Sequence, residues 1–97
     1  PAVVSAMQAH VGEAGVQAQG CISLFTICRG LGAGAAAVVQ ATVAAGALGA
    51  IVAAMRAHED EEVVHENGRS ALRRICRHSD ARRAAAMQAG AEEEWLD

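Results

Sequence analysis

The chain has 97 residues, more than half of them hydrophobic, and a net charge of −3 at pH 7. This length fits one domain, and three cysteines are too few, and an odd number, for a disulfide framework. A slightly acidic chain with one Phe, one Trp and no Tyr also argues against general nucleic-acid binding, which relies on basic patches and stacking aromatic rings.

Apolar residues recur at helical spacing along the whole chain. The helices are predicted at 2–10, 13–29, 33–45, 47–58, 61–78 and 80–89, and 91–97 is predicted to begin another. Asp60 is the expected N-cap of the fifth helix, and Ser79 or Asp80 that of the sixth. The glycine-rich joint at 30–34 is longer than the later turn at 78–80, and we expect it to allow the flanking segments to change their mutual angle.

The sequence repeats itself, because 2–29 aligns with 50–77 without a gap. The shared positions include bulky apolar residues, a histidine, a glycine and a cysteine: Val4/Val52, Met7/Met55, His10/His58, Val16/Val64, Gly20/Gly68, Leu24/Leu72, Ile27/Ile75 and Cys28/Cys76. A weaker echo links 44–47 to 88–91, and a period in the forties predicts a helical solenoid. The repeats are placed at 2–45 and 46–89, with a partial one at 90–97.

Glycine recurs in the middle of a predicted helix, at Gly20 and again at Gly68. Glycine there costs about 1 kcal/mol relative to alanine. Its use twice at one register predicts close approach of a neighbouring helix at both places.

The pattern GALxxIVxxMxxH followed by VxExGxxALxxI, an arginine and GA resembles an armadillo repeat. The resemblance implies an all-α, right-handed superhelix of about two repeats, each with a short first helix, a second helix and a longer third. HEAT repeats are the close alternative, and the GA dipeptide favours armadillo. In armadillo proteins the third helices line a groove for extended peptides. The usual Trp and Asn of that groove are replaced here by Ser70 and Arg74, and by Ile22 and Thr26, so recognition of nuclear-signal peptides is not implied.

Arginines cluster on the predicted third helices, and we expect Arg29, Arg73, Arg74 and Arg77 to bind an acidic peptide or surface. The alternative is that the arginines form ordinary surface pairs such as Glu66 with Arg69. Trp95 is a possible anchor in a partner, or it packs back on the last repeat and closes its apolar end.

No residue pattern predicts catalysis, a cofactor or a metal site. His10 and His58 both fall where a helix ends, and we expect them to meet the free carbonyls there. Cys28 and Cys76 lie on the apolar stripe and are expected to be buried and reduced. That indicates the cytoplasm or another reducing compartment, with import into an organelle left open.

These observations favour a non-catalytic protein–protein interaction scaffold within a larger assembly. The chain opens inside a motif, which indicates a fragment, a processed chain or a subunit held in something larger. A purely structural accessory subunit held by its apolar ends is the main alternative, and an RNA-binding helical repeat is a weaker one. DNA binding is not expected, for the reasons of charge and aromatic content given above. A membrane span is not expected either, because the apolar run at 32–54 is mostly alanine and glycine.

Overall fold

The computed structural model describes residues 2–30 and 34–97. Over these ranges the chain is all-helical, as predicted, with six α-helices and one short 3-10 helix. The helices are α1 (Ala2–Ala9), α2 (Ala14–Cys28), α3 (Ala35–Ala44), α4 (Ala47–Ala57), α5 (Glu62–Ile75) and α6 (Asp80–Gln88), and the 3-10 helix is Glu93–Trp95. Most of the joint expected to act as a hinge, 31–33, lies outside the described residues.

The observed N-cap residue matches the sequence prediction at α6 and differs from it at α5. Ser79 is the N-cap of α6, and its hydroxyl accepts a hydrogen bond from the backbone N–H of Arg82. The expectation that Asp60 caps α5 is wrong, because the N–H of Glu61 donates to the carbonyl of His58 and keeps Asp60 inside that turn. The backbone becomes extended only at Glu61, which is the N-cap and makes no side-chain capping bond.

Two helical hairpins, α1–α2 and α4–α5, lie side by side, and α2 packs along α5 over the largest interface in the chain. Helix α3 connects the hairpins and contacts both α2 and α4. The core between them is aliphatic and sulfur-containing. Its largest fully buried apolar side chains are Val4, Met7, Cys21, Leu24, Ile51, Met55, Val64, Leu72 and Ile75.

Each hairpin is closed by the same contact between a methionine and a glycine. A Cβ atom built on Gly20 would lie 2.4 Å from Cγ of Met7, and one built on Gly68 would lie 2.7 Å from Cγ of Met55. Both methionine side chains are fully buried. The prediction that a neighbouring helix approaches these glycines closely is therefore confirmed, and the neighbour is the first helix of the same hairpin.

The carbonyls at the end of each first helix are bonded from the second helix. The side-chain amide of Gln17 donates to the carbonyls of Met7 and His10, at 3.1 and 2.7 Å. Forty-eight residues later, Nε2 of His65 lies 2.9 Å from the carbonyl of Met55. The second helix crosses the end of the first, so a side chain in its first turns reaches these carbonyls directly.

The expectation that His10 and His58 bond the carbonyls ending their own helices is therefore wrong. Both lie just beyond the helix end, where the side chain points to other groups. His10 bonds the carboxylate of Glu13 at 2.6 Å. Nε2 of His58 lies 2.7 Å from the carbonyl of Val11, in the preceding hairpin.

Polar side chains of the second hairpin thus bond backbone carbonyls of the first. Besides the His58–Val11 contact, Asn67 donates from Nδ2 to the carbonyl of Ala18 at 2.9 Å. Arg74 donates from Nη2 to the carbonyl of Arg29 at 2.9 Å. The three contacts are spread from the start of α2 to its end, so they fix the register of the two hairpins along their whole length.

The C-terminal tail folds back on the second hairpin. Trp95 is 5% exposed, and its ring meets the His65 ring edge-on with centroids 5.7 Å apart. The guanidinium of Arg56 lies 5.3 Å from the indole centroid. Arg83 pairs with the Asp97 carboxylate at 2.6 Å. The tail is therefore held on two sides of the indole ring.

No single helix among the described residues is long and apolar enough to cross a bilayer; α3 and α4 together have the length and composition but meet at a 61° bend.

Candidate functional site

A shallow surface groove lies where the end of α2 meets the C-terminal half of α5. It encloses about 280 Å³ and is lined by Phe25, Ser70, Arg73, Arg74 and Arg77. The guanidinium of Arg29 lies 5.9 Å from the centroid of the Phe25 ring. We call these six residues the arginine groove. The structure thus brings three of the four arginines expected from the sequence into one groove with Phe25 and places the fourth, Arg29, against the Phe25 ring.

Helical spacing explains this arrangement. Arg73 lies in the last turn of α5 and Arg77 follows four residues later, in the turn just past the end of that helix, so their side chains lie on the same side, about one helical turn apart. Phe25 and Arg29 are also four residues apart and stand at the equivalent positions of the preceding repeat. Because α2 and α5 pack side by side, the two pairs face the same groove.

The arginine groove carries positive charge without carboxylate partners. Within the described ranges the ion pairs are His10–Glu13 and Arg83–Asp97, and neither includes a groove residue. The surface pair of Glu66 with Arg69, the alternative considered from the sequence, is not formed. The acidic tail residues Glu92–Glu94 and Asp97 line a depression of their own. Asp97 also lines a neighbouring pocket that it shares with Asp80, Arg73 and Arg77.

The four arginines are not equivalent. Arg74 is half-buried, and besides its bond to the Arg29 carbonyl its Nε donates to the Cys28 carbonyl at 3.4 Å. Its charge therefore sits on the free carbonyls at the end of α2, where a cation is favourable. Arg29, Arg73 and Arg77 are exposed. Nε of Arg77 donates to Nε2 of His78 at 3.3 Å, and the exposed guanidinium groups of the three remain accessible to a ligand.

Ser70 stands at a groove position indicated by the armadillo resemblance, whereas Phe25 was not predicted as a groove residue. Phe25 occupies the register of Arg73 one repeat earlier and precedes Arg29 by one helical turn. The alignment of the two repeats could have predicted Phe25 in the groove, because a position that faces the groove in one repeat should face it in the other. Trp95, the possible partner anchor, lies buried against His65 rather than on an open surface.

The three cysteines are buried and free, which confirms the expectation for Cys28 and Cys76. Burial raises the pKa of the Cys21 thiol to about 12. Burial also raises the pKa of Cys28 and Cys76, opposed for Cys28 by a hydrogen bond with Thr42 and for both by nearby arginines. Since the thiolate is the reactive form, these thiols are unsuited to nucleophilic chemistry.

We expect the native protein to react with a thiol reagent such as Ellman's reagent at least about a hundredfold more slowly at pH 8 than the protein unfolded in urea. A raised pKa lowers the thiolate fraction, and burial blocks access as well. Cys21, whose pKa is raised to about 12, should react most slowly of the three at pH 8. Labelling at equal rates in native and unfolded protein would contradict the burial described here.

In the part of the chain that is described, no three His, Cys, Asp or Glu side chains gather in a way that could hold a metal ion. Comparison of the chain with protein-family models, curated proteins and solved structures finds no match in any of the three. Evidence on function therefore comes from the geometry of the chain itself.

Proposed function

We propose that the chain is a non-catalytic protein-interaction scaffold, an armadillo-like helical repeat whose arginine groove binds an acidic peptide or acidic surface within a larger assembly. The observation that supports this proposal most is that Phe25, Arg73 and Arg77 line one groove and Arg29 lies against the Phe25 ring, while none of these arginines pairs with a carboxylate in the described ranges. A reducing compartment suits the three free, buried thiols.

The geometry favours a particular spacing of acidic groups. Arg73 lies in the last turn of α5 and Arg77 in the turn that follows it; residues four apart in a helical turn are roughly 5–6 Å apart. Alternate side chains of an extended peptide are about 6.5–7 Å apart on one face. Two glutamates separated by one residue can therefore each meet one guanidinium, in the planar geometry that arginine and carboxylate favour. Phe25 offers an apolar surface to the aliphatic carbons of the glutamate side chains, since the residue between them points to the opposite face of the peptide.

The armadillo-like arrangement has support in the repetition of detailed contacts. The same methionine–glycine contact and the same bond to the end of the first helix occur in both hairpins. One packing solution used twice, with a constant spacing of 48 residues, is typical of a solenoid. A right-handed superhelix with α2 and α5 along its concave side would extend the arginine groove toward any further repeat.

The experiment uses a fluorescein-labelled peptide of alternating glutamate and alanine, with binding measured by fluorescence anisotropy. Arg73→Glu/Arg77→Glu should weaken binding at least about tenfold, because two attractions become repulsions. Affinity of the unmodified protein should also fall with added salt. Arg74 is left in place, because its side chain holds α2 against α5.

The matched control is Arg69→Glu/Arg82→Glu, which changes the net charge equally but lies outside the groove lining. It should weaken binding less than threefold, roughly, through long-range charge alone. A peptide with glutamine in place of glutamate should bind neither the unmodified protein nor the two double variants. Circular dichroism must show that both double variants are folded. If both then weaken binding equally, net charge alone explains the effect and the arginine groove is not the binding site.

A further inference from the structure

The outer face of the first hairpin carries an apolar groove of about 460 Å³ between α1 and α2. We call it the end groove. Its lining is uncharged and consists of Val3, Ala6, Met7, Gly15, Val16, Gln19, Gly20 and Ser23. Val3, Val16 and Ser23 are only half-buried, and Ile27, further along the same face of α2, is 41% exposed.

The second hairpin has the same face, and there it is covered. Ile51, Val64, Ala71 and Ile75 stand 48 residues after Val3, Val16, Ser23 and Ile27. Each of these four is at most 1% exposed. The cover is α2, which packs along α5. The same kind of surface is therefore open on the first hairpin and covered on the second, where the covering element is α2.

The polar rim of the two surfaces corresponds as well. Asn67 donates to the carbonyl of Ala18 on the covering helix, and its equivalent in the end groove is Gln19, which is exposed. His58 bonds the carbonyl of Val11 in the covering hairpin, and its equivalent His10 lies at the surface beside Glu13. The end groove therefore keeps a side-chain amide and an imidazole where the second hairpin uses them to hold backbone carbonyls.

We propose that the end groove is a docking surface for a partner protein that ends in a helical hairpin of the α1–α2 kind. The last helix of that hairpin would lie along the end groove as α2 lies along α5. The partner helix must present a small, uncharged face, because nothing in the end groove would pair with a buried charge. This proposal is independent of the arginine groove.

A second copy of the chain does not fit this description. Its α2 is already packed against its own α5. Its other end offers α5, where Arg69 and Arg73 stand at the positions that Cys21 and Phe25 occupy in α2. Burying those guanidinium groups in an apolar groove without acceptors is unfavourable.

The test supplies such a hairpin in the native register. Residues 2–49 are placed ahead of the full 2–97 segment, so that Gly49 is followed by Ala2 as it is normally followed by Ala50. The added unit should cover the end groove and raise the thermal unfolding midpoint by about 10 °C, since stacked repeats stabilise one another. A single cooperative transition is expected.

The control places one pair of substitutions, Val16→Glu and Ile27→Glu, in either copy of the first hairpin. In the original copy they lie under the added unit and should remove the gain in midpoint. In the added copy they lie at a free end and should change it by less than about 3 °C. No gain, or equal effects in both copies, would overturn the proposal. A dimer of the unmodified protein that Ile27→Glu converts to monomer, measured by light scattering, would assign the surface to a second copy and also overturn it.

Discussion

Replacing Trp95 with alanine is expected to lower the free energy of unfolding by about 3 kcal/mol, at the lower end of the range for a buried tryptophan. The ring is 5% exposed and packs on His65 and Arg56. Leu96, which is 6% exposed, would lose its position with it. Urea unfolding followed by circular dichroism at 222 nm measures the change.

The effect should depend on the shape of the ring. Trp95→Phe keeps an aromatic surface for His65 and Arg56 and should lose less than half as much as the alanine variant. Met87→Ala is the matched control on an exposed site, since Met87 is 44% exposed, and should cost less than about 0.5 kcal/mol. If Trp95→Ala costs no more than Met87→Ala, then the tail does not hold the end of the second hairpin.

The two ends of the molecule differ in how they are closed. Trp95 stands 44 residues after Ile51, so at the weaker repeat spacing it occupies the position of a core residue of a next hairpin. The outward face of α5 carries arginines where α2 carries Cys21 and Phe25. The C-terminal end is thus covered by a tryptophan and charged side chains. The first hairpin has no such cover in the described residues, which is why its groove is apolar and open.

The sequence predicted the helices and the glycine contacts because both depend on short-range or repeated patterns. Apolar spacing fixes which residues of α4 and α5 face inward. The alignment of Gly20 with Gly68 favoured a packing contact over chance in a glycine-rich sequence. Self-similarity therefore supplied tertiary information that a single helix does not contain.

Other features could not be predicted, because they depend on which residues meet across long separations. Arg74 was grouped with its neighbours, yet it bonds the carbonyl of Arg29, 45 residues earlier. His58 and His65 likewise bond carbonyls whose positions are set by the crossing of helices. Periodicity gives the face of a helix but not the carbonyl that lies opposite. The superhelical arrangement and the acidic partner stay predictions for the same reason.

Gly68→Ala is expected to lower the free energy of unfolding by about 1–3 kcal/mol, the usual range for overpacking. The new Cβ would lie 2.6 Å from Sδ and 2.7 Å from Cγ of Met55. Cγ is not the free end of the methionine side chain, and the whole side chain is buried, so α4 or α5 must shift. The thermal midpoint should fall by roughly 5–15 °C for a domain of this size.

Two further variants separate packing from helix propensity. Gly49 lies in α4, and a Cβ built there meets nothing within 4 Å, so Gly49→Ala should stabilise by about 0.5–1 kcal/mol. In a Met55→Ala background the obstacle to Gly68→Ala is gone, and the second substitution should cost nothing or stabilise. The difference between the two backgrounds is the coupling energy of the contact. Equal effects of Gly68→Ala in both backgrounds would mean that the repeated glycine does not serve the close approach of α4 and α5.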